Sequence, residues 1–118
     1  MSLNNRETGT HYEERAAAYL EQMGYEILLR NYRCKSGEID LIARDGSWLV
    51  FTEVKYRKDA AKGLPEEAVD IRKQQRIYRA AQAFLQRYHV PLDTPCRFDV
   101  EAIEGESNRH LPDAFGGF

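Results

Sequence analysis

Two largely apolar runs, Gly37-Glu38-Ile39-Asp40-Leu41-Ile42 and Phe51-Thr52-Glu53-Val54-Lys55, flank an Asp45-Gly46 dipeptide, and this arrangement constrains the chain to a β-hairpin. The favoured two-residue turn needs positive φ at its central positions, which Gly and Asp tolerate. With Asp45-Gly46 as the loop, Arg44 faces Ser47, Ile42 faces Leu49 and Asp40 faces Phe51. Glu53 then lies diagonally across from Asp40, and Lys55 follows it on the same side.

The period-2 rule sorts the hairpin into two faces. One carries Ile39, Leu41, Ala43, Val50 and Val54, an ordinary buried surface. The other carries Ile42, Leu49 and Phe51 near the turn but Glu38, Asp40, Glu53 and Lys55 towards the open end. Diagonal neighbours sit roughly 7 to 8 Å apart at Cα, so two short carboxylates converge on one cation. A hard divalent ion such as Mg²⁺ prefers oxygen ligands of this kind. Charged residues at strand ends are also commonly solvated, and an E-x-K ion pair at a surface contributes little. These charges, however, lie inside near-continuous apolar runs, where an unpaired carboxylate is expensive.

Several function classes fall away on composition. At 118 residues, 42% apolar and 31% charged, the chain reads as one globular domain. It lacks both a long apolar run and a signal-peptide core, so a membrane role is not expected and a cytoplasmic location is. Cys34 and Cys96 form no C-x-x-C pair and read as two buried thiols, while His11, His89 and His110 are scattered. Net charge is −2, but residues 30–79 hold twelve Lys or Arg against eight Asp or Glu, so the middle is basic and the ends acidic.

Residues 1–8 are polar and read as a disordered N-terminus, with Met1-Ser2-Leu3 as an added leader. A helix is expected over Gly9 to Met23, with Tyr12, Ala16, Tyr19, Leu20 and Met23 as its apolar stripe and Gly24 as its stop. Glu13 lies at the edge of that stripe and looks inward, whereas Glu14 points away. Tyr25 to Arg33 reads as a first strand, turning at 34–37 into the hairpin, for three antiparallel strands. After a basic stretch, Pro65-Glu66-Glu67 is a helix-start signature and Asp70 a second possible cap.

Ile77, Ala80, Ala81, Phe84, Leu85 and Tyr88 mark an amphipathic helix that ends before Pro91. Arg72, Arg76 and Arg79 line its polar side, while Lys73 and Gln74 extend the apolar stripe backwards and should look towards the sheet. Arg97 to Ile103 is the last strand, with Phe98, Val100 and Ala102 on one side. Its long helical crossover makes it parallel to the Glu53 strand, by a right-handed connection. The tail, 105–118, carries Leu111, Phe115 and Phe118 and is either folded back or disordered.

The order helix, three-strand meander, helix, strand, with an acid on the first helix, Asp40 on the second strand and Glu53-Val54-Lys55 on the third, resembles the restriction-endonuclease-like (PD-(D/E)xK) superfamily. More narrowly, Gly9-x-x-x-Glu13, Gly37-Glu38-Ile39-Asp40-Leu41-Ile42, Phe51-Thr52-Glu53-Val54-Lys55-Tyr56-Arg57, Lys73-Gln74 and Arg97-Phe98-Asp99-Val100 resemble the YraN-type family of small bacterial proteins, predicted to be nuclease-like. The layout is also similar to that of archaeal Holliday-junction resolvases. Ile39 stands where the superfamily's namesake proline would be.

The resemblance implies an α/β nuclease-like domain over 9–104 with a mixed four-stranded sheet. It implies Asp40 and Glu53 as ligands of Mg²⁺ or Mn²⁺, with Glu13 binding directly or through water and Val54 offering its carbonyl. Lys55 would position or deprotonate the attacking water, and Lys73 would contact phosphate. Arg57, Arg72, Arg76 and Arg79 complete the expected nucleic-acid surface.

The leading expectation is therefore a metal-dependent DNA endonuclease, selective for branched or damaged structures, since no base-reading element is evident. The alternatives are a non-catalytic nucleic-acid-binding module and a protein-interaction domain with a structural acidic cluster. A junction-cutting role would require a homodimer, because two symmetric nicks need two sites.

Overall fold

The computed structural model describes residues 5–57 and 69–116, which form helix α1 (Asn5–Gln22), strands β1 (Glu26–Cys34), β2 (Gly37–Asp45) and β3 (Trp48–Arg57), helix α2 (Ile71–Arg87) and strands β4 (Cys96–Glu104) and β5 (Ser107–Phe115). The strands make one sheet in sequence order, antiparallel throughout except for the parallel β3–β4 pair. That exception follows from α2, whose crossover returns the chain to the same end of the sheet.

The sheet has five strands rather than four. Residues 107–115 of the expected tail are β5, joined to β4 by a turn in which Gly105 takes φ 59° and Glu104 pairs with Ser107. Pro112 lacks an amide proton, which an edge strand tolerates. The first helix also begins earlier than expected, at Asn5.

The helices cover opposite faces. Ala16, Ala17 and Leu20 of α1 are fully buried against Leu41, Ala43, Val50 and Ile103, the small alanines allowing close approach. On the other face Ile77, Ala80, Ala81 and Phe84 of α2 pack on Ile42, Phe51, Phe98 and Val100. Asp70 caps α2, its carboxylate accepting from the Lys73 amide at 2.9 Å. The expected helix start at Pro65 lies outside the described residues. Tyr88, expected in the apolar stripe, is instead the half-exposed C-cap, followed by His89 at φ 51°.

The β2–β3 hairpin closes on Asp45 opposite Trp48, so the loop is Gly46-Ser47 and not Asp45-Gly46. Gly46 alone supplies the positive φ, at 60°, and Asp45 is freed to pair with Arg97 at 3.0 Å. The register thus slides by two residues, with Ile42 facing Phe51 rather than Leu49. An even slide preserves which face each side chain occupies, so Asp40 and Glu53 stay on one side. Ile39, read with the Leu41 face, packs instead with Tyr32 and Ile42.

Pairing between β2 and β3 stops at Leu41–Thr52. Beyond that point β2 stays with β1 as far as Gly37–Cys34, while β3 stays with β4 as far as Arg57–Glu104. The central strands therefore part at Asp40 and Glu53. A continuous sheet would separate side chains of α1 from those of α2; this split is where they meet.

Candidate catalytic cleft

A cleft of about 530 Å³ opens at the parting of the strands, lined by Arg33 and Cys34 of β1, Gly37, Glu38 and Asp40 of β2, Glu53 of β3, and Lys73, Arg76 and Ile77 of α2. Gly37 sets the approach of α2. A β-carbon at this position would lie 3.0 Å from the Arg76 carbonyl oxygen and 3.2 Å from its Cβ, closer than ordinary van der Waals contact. The missing side chain is what allows the first turns of α2 to rest against the start of β2.

Asp40 replaces the missing ladder bond. Its Oδ2 accepts from the Val54 amide at 2.8 Å, satisfying a β3 donor just beyond the last β2–β3 pair. Burial, reinforced by the Glu53 and Glu13 carboxylates, holds the Asp40 carboxyl well above the usual range. Oxygens of Glu13, Glu38 and Asp40 all lie within 4.8 Å of one another. Glu13 arrives from α1 as the inward-looking acid. Burial and the Glu38 charge raise its pKa in spite of the Asn31 hydrogen bond. Asn31 has φ 54° and sits level with Asp40, between the pairs Arg30–Leu41 and Tyr32–Ile39.

Glu53, only 4% exposed, faces two cations. Lys73 Nζ lies 2.6 Å from its Oε1, and Lys55 Nζ lies 3.5 Å from the same oxygen. The two lysines diverge in acidity. Burial and the adjacent Lys73 lower the Lys55 pKa, whereas for Lys73 the pull of Glu53 and Asp40 outweighs burial and raises it. At neutral pH the pair thus offers one firmly held cation and one more easily deprotonated amine.

The structure brings together Glu13, Asp40, Glu53, Lys55 and Lys73 of the residues singled out in sequence. Arg76 lines the cleft, and Arg72 and Arg79 are exposed on α2. The side chain of Arg57 lies outside the described residues. Gln74, expected to look towards the sheet, donates its side-chain amide to the Val69 carbonyl at 3.0 Å and braces the helix start. Sequence reasoning set Glu38 on the same face as Asp40 and Glu53 but did not count it among the ligands; the structure places it beside Glu13 and Asp40. It missed Arg33, which pairs loosely with Glu38 at 3.6 Å, and Gly37.

A second charged cluster lies on the α1 side of β4 and is closed to solvent. His110 is sandwiched between Asp99 and Glu101, 2.8 Å from an oxygen of each, and both acids are fully buried. Arg97 adds two guanidinium nitrogens to Asp99 and a short hydrogen bond to the Tyr25 hydroxyl, and the Asp113 amide donates to Asp99 at 2.9 Å. These contacts bind β5 to the sheet. The two cysteines are half-buried and free. No helix among the described residues is long and apolar enough to cross a membrane.

The profile of the uncharacterised protein family UPF0102 matches residues 12–103, from just before Glu13 to the penultimate residue of β4. A UPF0102 protein of Lachnoclostridium phytofermentans is 47% identical over 116 residues, 98% of each chain. One of Yersinia enterocolitica is 47% identical over 114 residues, covering 96% of this chain and 97% of its own. One of Geobacter sulfurreducens is 45% identical, covering 97% of this chain and 92% of its own.

Proposed function

The chain belongs to the UPF0102 family, the YraN-type family its motifs resemble, and from that footing and the cleft we propose that it is a divalent-metal-dependent endonuclease acting on DNA. The observation that carries this reading is the meeting, at the strand split, of three mutually close carboxylates with a buried Glu53 and its two lysines. The restriction-endonuclease-like layout supports it. So does the rim of Arg33, Arg76 and Lys73, which suits a polyanion.

The acids fit a hard cation. They are crowded and oxygen-only, and Asp40 and Glu13 are pushed towards their neutral forms by burial and by neighbouring carboxylates, so a bound Mg²⁺ or Mn²⁺ would relieve the repulsion. Asp40, Glu13, Glu38 and Glu53 are the residues that would hold it. Such a cation supplies polarisation of a phosphoryl oxygen and acidification of a water. Lys55, the more acidic of the two amines, would orient that water, and Lys73 and Arg76 would fix the phosphate. With no base-reading element among the described residues, the substrate would be chosen by shape, as in a branched or damaged duplex. Symmetric cutting of such a junction would need two copies of the chain.

A second reading, a nucleic-acid-binding module without turnover, draws on the fact that Glu53 is already compensated by lysines. Incubation of plasmid and four-way-junction DNA with Mg²⁺ or Mn²⁺ separates the two. Cleavage by the wild type, lost in Asp40→Ala and Lys55→Ala, supports the enzyme. Salt-dependent binding that never leads to cutting supports the module.

A further inference from the structure

We infer that Lys73 is an exchangeable counter-ion: it holds the Glu53 carboxylate in the metal-free protein and passes to a phosphate oxygen of the DNA backbone once a divalent cation loads the cleft. This deepens the metal-dependent reading above and rests on it.

Lys73, not Lys55, makes the close contact with Glu53, at 2.6 against 3.5 Å. It is also the more exposed lysine, 36% against 20%, and it lines the open cleft, which Lys55 does not. The Lys73 backbone is pinned by the Asp70 cap at 2.9 Å, so its four-carbon stem can swing from a fixed base. Glu53 has almost no access to water and needs a cation at hand.

A divalent ion on the acids meets that need, and three positive groups around one carboxylate then repel one another. Lys55 is held on the same strand as Glu53. Lys73 is the group able to leave, and the nearest new anion is a phosphate entering between Arg33 and Arg76. The ion pair would thus keep the cleft ordered before loading and reserve a phosphate contact for the loaded state.

The test is Mn²⁺ binding to the DNA-free protein, followed by electron paramagnetic resonance of the free ion. Lys73→Met should bind Mn²⁺ roughly tenfold more tightly than wild type. Lys73→Gln should move the same way, and Lys73→Arg should stay near wild type. Arg76→Met removes a charge from the same cleft without an ion pair to Glu53, and should change affinity by no more than about twofold. Since Lys55 still faces Glu53, the Lys73 variants keep a counter-charge, and cooperative urea unfolding will verify that they fold.

With Ca²⁺ present, Lys73→Met should also bind junction DNA roughly tenfold more weakly, a defect that shrinks when the divalent ion is removed. Unchanged or weaker Mn²⁺ affinity in Lys73→Met, or a gain matched by Arg76→Met, overturns the exchange. Mn²⁺ affinity that is insensitive to Asp40→Asn would overturn the metal-site reading itself. Affinity that needs Asp40 but ignores Lys73 leaves that reading standing and removes the exchange alone.

Discussion

The carboxylate of Asp40 takes the place of a strand carbonyl: its Oδ2 receives the Val54 amide at 2.8 Å at the point where β2 and β3 separate. One side chain thereby both ends the ladder and stands at the mouth of the cleft. The Val54 donor, on a residue only 8% exposed, would otherwise lack a partner in this region of the sheet.

Two substitutions at this position should move stability in opposite directions. Asp40→Ala leaves the Val54 amide unpaired and should destabilise by about 1–3 kcal/mol. Asp40→Asn keeps an acceptor while removing a charge that burial and Glu53 disfavour, so at pH 7 and without divalent ions it should raise stability, by about 1 kcal/mol. Urea unfolding of both variants in chelator provides the check. The same raised carboxyl predicts a pH dependence: its stabilising contribution is complete below the unfolded pKa and lost as pH rises through the folded value, so metal-free wild type should gain stability on mild acidification.

Divalent ions should reverse that deficit. Titrating Mn²⁺ or Mg²⁺ to a hundredfold excess over the dissociation constant should stabilise wild type by about 2.7 kcal/mol. Asp40→Asn should lose most of this gain. Thermal unfolding at constant ionic strength measures it, and equal shifts in the two proteins would rule out a cation on Asp40.

Gly37→Ala tests the docking of α2. The added methyl would sit 3.0 Å from the Arg76 carbonyl, so strand and helix must move apart, at a cost of about 1 kcal/mol. Because Lys73 and Arg76 ride on the same helix, the expected signature is a loss of DNA affinity larger than the loss of stability alone explains. Paired unfolding and DNA-binding titrations distinguish the two effects.

Each arginine of the exposed row should contribute about one unit to the salt dependence of DNA binding. Arg72→Ala, Arg76→Ala and Arg79→Ala are each expected to lower the slope of log affinity against log salt by about 1, without discriminating between sequences. Fluorescence anisotropy at several salt concentrations reads this directly.

His110 should behave as a buried cation. Burial alone would lower its pKa, but Asp99 and Glu101 together lift it to about 9. A folded value above the unfolded one, about 6.5, means that its stabilisation is full below pH 6.5 and lost as pH rises through about 9. His110→Ala, which strands two buried acids, should destabilise by about 3–5 kcal/mol and flatten that alkaline limb. An NMR titration of the ring gives the pKa independently.

Much of this was legible in the sequence, and the misses have physical causes. Helix α2 announced itself through Ile77, Ala80, Ala81 and Phe84, because a buried face imposes a 3.6-residue period. The hairpin register was misplaced by two residues because either loop keeps the same residues inward, so the apolar pattern cannot choose between them. Strand β5 was missed because its core-facing Leu111 and Phe115 stand four residues apart with Pro112 between them and show no period of two, and because the acids that make His110 acceptable on the other face lie on another strand.

Sequence alone determined the kinds of element from α1 to β4, their order, and the side of the sheet to which Asp40, Glu53 and Lys55 belong, since these depend on local periods of two and 3.6 residues. Tertiary structure decided that β2 and β3 part at Asp40, that Glu38 joins Glu13, and that Lys73 rather than Lys55 grips Glu53. Those outcomes are distances across separate elements. They depend on where a ladder stops and how closely α2 approaches Gly37, which no local pattern encodes.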